Sequence, residues 1–317
     1  MTGLVVDKIQ TAKLTERLQV TDSLEKVAYM VKFCKLILKQ SRLFLKKLFV
    51  RDLKLPQIAA IAARIFTFNT SKLGDNSYVT VDPEVGEARL KRLANSYEAR
   101  NKCVSLKLPH ASELPQNDKV VSWSLKRLFD WLAALTILMV LSPVMLSLAT
   151  IISLNSKGPI FFHQWRVGEN GRLFRIIKFR TMITDADKLH HLVMSGQTGL
   201  HKCEDDPRIT SVGRWMRKYS LDELPQLFNV LRGEMSLVGP RPWALYDALR
   251  ISGSGKRRLN SLPGVTGAWQ VSARSTMLDL DAVTECDLSY LRNWTIWSDL
   301  KILLMTVPKV LSGFGAF

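Results

Sequence analysis

A run of 24 residues without a single charge, positions 131–154, constrains this chain more than any other feature. It is long enough to cross a bilayer as one straight helix. Two properties argue against a simple crossing. Ser142-Pro143 falls near its middle, where proline removes a backbone donor and clashes with the preceding turn. Both flanks are basic: Lys126 and Arg127 precede the run, and Lys157, Arg166, Arg172, Arg175, Lys178 and Arg180 follow it. Positive flanks tend to stay cytoplasmic, so a segment with two such flanks is expected to turn back at Ser142-Pro143. A re-entrant helix-break-helix over about 124–156 is therefore preferred to a full span or a soluble core helix. Lys126 and Arg127 are expected to reach lipid phosphates.

The remaining composition fits a folded protein at a membrane surface. Mean hydropathy is +0.03 and 47% of residues are hydrophobic, which excludes a polytopic membrane protein and a disordered chain. Net charge is +17 over 317 residues, which calls for an anionic partner: nucleic acid, a phosphorylated substrate or anionic lipid. No nucleic-acid motif is present, and an apolar run of this length is hard to place in such a protein. The four cysteines, Cys34, Cys103, Cys203 and Cys286, form no C-x-x-C pair and read as reduced thiols. The start of the chain does not resemble a secretory signal.

Residues 1–119 read as a separate helix-rich extension, ending in a linker at 108–118 that carries Pro109, Pro115, Asn117 and Asp118. Within it, Lys32, Lys35, Lys39, Arg42, Lys46, Lys47 and Arg51 fit either a solvated helix face or an amphipathic helix on anionic lipid. Residues 120–317 hold the apolar segment and a second domain. Two β-rich runs around Gly168-Glu169-Asn170-Gly171 predict a hairpin. Positions 215–231 are helical in pattern, with Pro225 expected to kink or divide them. Positions 294–311 suit an interfacial amphipathic helix with Trp294 and Trp297 at headgroup level. The expected fold is mostly α with a small β-hairpin, monotopic, with amphipathic interfacial helices.

The chemistry concentrates at Ser220-Leu221-Asp222-Glu223-Leu224-Pro225-Gln226 and at Ser236-Leu237-Val238-Gly239-Pro240-Arg241-Pro242. Adjacent carboxylates repel, and both stay ionised only beside a cation or a metal. Alone, Asp222-Glu223 reads rather as an acidic pair opposing a helix dipole. The nearby arginines point instead to an anion, most plausibly phosphate. Further pieces are Lys126-Arg127-Leu128-Phe129-Asp130, Lys178-Phe179-Arg180-Thr181-Met182, Asp206-Pro207-Arg208-Ile209-Thr210, residues 263–270 and Asp299-Leu300-Lys301.

Taken together and in this order, these pieces resemble the bacterial sugar transferase family, the monotopic polyprenyl-phosphate phosphoglycosyl transferases, from about Lys126 to the C-terminus. The resemblance implies a re-entrant anchor in the inner (cytoplasmic) membrane and a mostly helical catalytic domain on its cytoplasmic face. It implies transfer of a sugar 1-phosphate from a nucleoside diphosphate sugar, with uridine as the base, to undecaprenyl phosphate. Nucleoside monophosphate is released, and the product initiates exopolysaccharide, capsule, O-antigen or glycoconjugate assembly. Mg²⁺ is the expected cofactor, with Asp222 and Glu223 as its ligands. Asp222 is the expected nucleophile, carrying a covalent phosphosugar, with Glu223 assisting. Arg217 and Arg241 are the first candidates for substrate phosphate, and Lys178, Arg180 and Arg274 the second. The chain departs from the family pattern at Ser272-Ala273, before Arg274, and in having Asp247 as the nearest acid after Pro242. A non-enzymatic membrane-surface scaffold is the alternative function, and a homo-oligomer is compatible with the sequence.

Overall fold

The structure, a computed structural model, describes residues 78–186, 206–272 and 279–313. The basic series at 32–51 and Arg274 lie outside these residues. Contacts divide the chain into two units, one made of Leu55–Val140 and Phe161–Phe317 and a second that includes Leu141–Ile160.

The first unit begins with a parallel pair, β1 (Tyr78–Val81) and β2 (Cys103–Leu106), joined through helix α1 (Glu87–Glu98). Parallel strands need such a crossover. Leu90 and Ala94, four apart on α1, bury against the pair and share a core with Val167, Leu173, Trp243 and Val283. The described part of the N-terminal extension thus shares a core with residues of the C-terminal domain. The 108–118 stretch is anchored: Ala111 and Leu114 bury against Leu288 and Leu291, and α2 (Pro115–Asp118) follows. It is not the loose linker its prolines suggest.

Helix α3 (Val120–Asn155) is helical throughout, with Pro143 inside it. Its secondary structure shows no interruption at Ser142-Pro143, unlike the break expected there. Its residues up to Val140 belong to the first unit and those from Leu141 to the second. Among the described residues it is the helix long and apolar enough to cross a membrane.

The predicted hairpin is present: β3 (Phe161–Val167) pairs antiparallel with β4 (Leu173–Phe179), Trp165 facing Arg175. Asn170 and Gly171 adopt positive φ, 53° and 73°, at the turn. The expected 215–231 helix is divided, earlier than proline alone requires. Helix α4 (Ser211–Lys218) ends at Tyr219, and Ser220 takes a left-handed conformation, φ 52°. A single 3₁₀ turn (Leu221–Glu223) and α5 (Gln226–Leu231) follow. A second parallel pair, β5 (Ser236–Val238) with β6 (Gly264–Thr266), encloses α6 (Leu245–Ala248) and a 3₁₀ segment (Gly253–Asn260) in sequence. The unit closes with α7 (Ala268–Ser272), α8 (Leu280–Arg292) and α9 (Ile296–Ser312), the last opened by a capping box of Thr295 and Ser298.

Two sequence expectations fail here for one reason: burial by residues remote in sequence. Trp294 is not at an interface but is 1% exposed, packed edge-on against Trp123 with centroids 5.2 Å apart. Trp297 is 76% exposed. Lys126 and Arg127 do not reach outward either. Lys126 Nζ lies 2.7 Å from Asp299 and 3.4 Å from Asp130 and donates to the Val238 carbonyl. Arg127 is buried and donates to the Gly233 carbonyl. A buried ammonium needs such partners, so this lysine ties α3 to β5 and α9.

Candidate active site

The acidic pair owes its position to the chain breaks around it. With Ser220 in the left-handed region, at a cost of about 1–3 kcal/mol for a non-glycine residue, the chain turns out of α4 and presents Asp222 and Glu223 on the 3₁₀ turn. Both residues are buried, at 8% and 7% exposure. Leu224 and Pro225 continue in right-handed helical conformation into α5, so the pair also stands at the N-terminal end of that helical stretch.

Cations from three directions meet the pair. Lys178, on β4, places Nζ 2.8 Å from Glu223 Oε1. Arg241, from the Gly-Pro-Arg-Pro turn, places Nη2 3.1 Å from the same oxygen. Arg217, on the last turn of α4, donates from Nε to Thr181 Oγ1 at 2.9 Å. Burial lowers the pKa of Arg217, and the nearby Asp222 charge opposes that fall. Burial also lowers that of Lys178, countered by Glu223 and then by Asp222, with Arg241 and Arg166 adding to the fall. Perturbed cations gathered beside a buried acidic pair mark a candidate functional site.

The strand and helix beneath these groups are locked together. Thr210 N donates to the Thr181 carbonyl, and Ile183 N to the Arg208 carbonyl. The Lys178–Met182 and Asp206–Thr210 motifs are therefore neighbours in space. A Cβ on Gly213 would stand 2.1 Å from the Thr181 carbonyl oxygen, so only glycine lets α4 come this close. Asp206 and Arg208 form a buried pair at 2.6 Å, and these bonds hold the Asp206 carboxyl below its usual range. Asn229 on α5 accepts from Ile177 N and donates to the Arg175 carbonyl, fixing β4 against the helix that follows the acidic turn.

The Arg241 turn is held as firmly. Gly239 N donates to Thr266 O and Gly264 N to Pro240 O. Arg258 is buried, with its guanidinium 4.1 Å from the Trp243 ring centroid. It bonds Asp287 and donates from Nη2 to the Arg241 carbonyl at 2.7 Å.

Of the residues singled out in the sequence, Asp222, Glu223, Lys178, Arg217 and Arg241 come together. Arg180 is buried, and burial lowers its pKa. Ser142 and Pro143 lie in the second unit. Sequence reasoning missed Arg166 as a site residue. Burial pushes it down to about 10, with the charges of Tyr246, Arg241, Asp247 and Glu223 all acting on it, and it donates to the Pro242 carbonyl. Its placement at the end of a β-rich run was the available signal. Asp287, which reaches the site through Arg258, carried no signal in sequence.

No group of three or more potential metal-binding His, Cys, Asp or Glu occurs among the described residues. Two adjacent carboxylates nevertheless suit Mg²⁺, which is held through one or two of them when substrate phosphates and water complete the shell.

Comparison with known proteins places this cluster within a matched domain. Residues 121–313 match the family model described as bacterial sugar transferase. The chain is 46% identical over 194 residues to the galactosyl transferase CpsE of Streptococcus agalactiae, covering 60% of this chain and 43% of that protein. It is 39% identical over 224 residues to the undecaprenyl-phosphate glucose phosphotransferase of Komagataeibacter xylinus, covering 66% and 40%. With the exopolysaccharide production protein ExoY of Sinorhizobium fredii it shares 40% over 202 residues, covering 61% and 88%. The chain thus spans about two-fifths of the first two relatives and most of the third.

Proposed function

The chain belongs to the bacterial sugar transferase family, and on that basis we infer that it transfers a sugar 1-phosphate from a UDP-sugar to undecaprenyl phosphate, releasing UMP. The observation that carries this reading is the buried Asp222-Glu223 pair met by Lys178, Arg217 and Arg241. The names of the Komagataeibacter and Streptococcus relatives, a glucose phosphotransferase on undecaprenyl phosphate and a galactosyl transferase, support the substrate class.

The chemistry follows from the charges. A UDP-sugar brings a diphosphate into a site with an excess of cations, where Arg217, Arg241 and Lys178 hold its oxygens. An Asp222 carboxylate oxygen attacks the phosphorus that bears the sugar. The bond from that phosphorus to the uridylyl oxygen breaks, and UMP departs. The phosphosugar remains on Asp222 as an acyl phosphate, a good leaving arrangement. An oxygen of undecaprenyl phosphate then attacks the same phosphorus, the Asp222 bond breaks, and the lipid diphosphate sugar is formed. Glu223 anchors Lys178 and Arg241 toward the diphosphate. Mg²⁺ bound by Asp222 and Glu223 would neutralise charge on the diphosphate oxygens.

The acceptor is a lipid, and the surface fits a bilayer. Val121, Phe129 and Val140 on α3 and Trp297, Leu304 and Leu311 on α9 are all exposed, and exposed apolar side chains of this kind suit a lipid interface. We place this surface at the cytoplasmic face of the inner membrane, with α3 as a re-entrant anchor. The test is UMP release from UDP-glucose and UDP-galactose, with and without undecaprenyl phosphate. Multiple turnover only with the lipid is expected. No UMP release from any UDP-sugar would reject the reading and leave a scaffold role.

A further inference from the structure

A cavity of about 330 Å³ lies between residues 94–104 and the β3–β4 hairpin. It shares no lining residue with the Asp222 cluster. Arg175 lines it, whereas Lys178, three residues on along β4, belongs to the cluster. An odd spacing along a strand puts these two side chains on opposite faces. One wall precedes the family match at 121–313 and the other lies within it.

The lining is cationic. Lys102, Arg172, Arg175 and Arg232 face it, against Glu98 and Glu234. Both acids already have partners: Glu98 bonds Arg175 at 2.7 Å, and Glu234 accepts from Asn229 at 2.7 Å. Burial raises the Glu234 pKa, which weakens its hold on a negative charge. At His163, also in the lining, burial lowers the pKa and Arg175 and Arg232 lower it further, so the imidazole registers a positive field. The arginines are set in place beforehand. Arg175 lies 4.9 Å from the Trp165 ring centroid and donates to Asn95; Arg172 donates to Cys103 Sγ at 3.2 Å. Trp165 and Leu173, on the same face of the hairpin as Arg175, supply an apolar side. Convergent cations beside an aromatic wall, in a space of this size, are what a small charged ligand needs.

We propose that this cavity is a second binding site, for a small phosphorylated anion whose phosphate is held by Lys102, Arg172, Arg175 and Arg232 and whose remaining body lies against Trp165. A nucleotide and a sugar phosphate share that chemistry. The site would give the 94–104 segment a ligand-binding role separate from the transfer reaction.

The test uses the full chain in detergent, carrying Arg241→Ala so that the Asp222 cluster competes less. Inorganic phosphate, UMP and glucose 1-phosphate are titrated calorimetrically at constant ionic strength. At least one is expected to bind with a Kd below roughly 1 mM, the yield of two charge-assisted contacts. The tightest of the three identifies the source of the phosphate. Adding Lys102→Glu, at an exposed position where folding is not at stake, should weaken that binding roughly tenfold or more. Arg172→Gln should act in the same direction. No binding of any probe, or binding unchanged by Lys102→Glu, would overturn the proposal.

Discussion

Glu223 Oε1 is reached by two cations, Lys178 and Arg241, and the charges of both Asp222 and Glu223 are felt at Arg217 and Lys178. Their adjacency made them legible in the sequence. Arg166 was read only as flanking charge, because the groups acting on it, Tyr246, Arg241 and Asp247, are about 80 positions away in the chain. His163 offers a test at this scale. Its pKa lies below 6.5, through burial and through Arg175 and Arg232. The unfolded chain therefore takes up the proton first as pH falls, and the folded state loses stability from about pH 6.5 down to the lowered value. Above that window the group contributes nothing. Thermal unfolding midpoints of His163→Gln should fall less steeply over this range than those of the parent chain. Since His163 is exposed, the difference is small, and parallel curves would refute the assignment.

At the scale of elements, local patterns were readable and remote pairings were not. The β3–β4 hairpin follows from two aromatic and β-branched runs around a Gly/Asn turn, all within 19 residues. The parallel pairs β1–β2 and β5–β6 were invisible, because each is closed by more than 20 residues of intervening chain. Trp294 looked interfacial because an apolar helix follows it, and only Trp123 reveals that it is core. The Arg258–Asp287 pair joins α8 to the turn that carries Arg241. Both side chains are almost fully buried, and breaking such a pair leaves a charge without compensation, at about 3–5 kcal/mol. Arg258→Met should destabilise the protein by about that much in chemical denaturation. Arg258→Met with Asp287→Leu should recover part of the loss, and a double variant no more stable than the single would contradict this view of the pair. On α9, Leu304 is 66% exposed. Leu304→Glu should weaken vesicle binding by roughly tenfold or more, since it withdraws an apolar side chain worth about 1.5–3 kcal/mol and adds a charge. Unchanged flotation with vesicles would exclude this face from the interface.

Across the whole molecule, a positive chain of +17 presents exposed apolar helices in the same compact unit as a buried cation-ringed acidic pair. That combination suits a water-soluble diphosphate donor and a lipid phosphate acceptor meeting at one aspartate. The ordered motifs were enough to find the family, and two of them carry a backbone feature, the break at Ser220 and the pinned turn at Arg241, whereas the close approach at Gly213 lay outside them. The cavity beside residues 94–104 lay beyond sequence reasoning, since its two walls meet only in the folded chain. The direct test of the account is the mass of the intact protein after incubation with a UDP-sugar and Mg²⁺, without undecaprenyl phosphate. The account predicts an added sugar-phosphate on Asp222, discharged when the lipid is supplied. It also predicts no adduct in Asp222→Asn, with turnover down on the order of a thousandfold or more. An Asp222→Asn protein that still accumulates the adduct, or still turns over at a comparable rate, would contradict it.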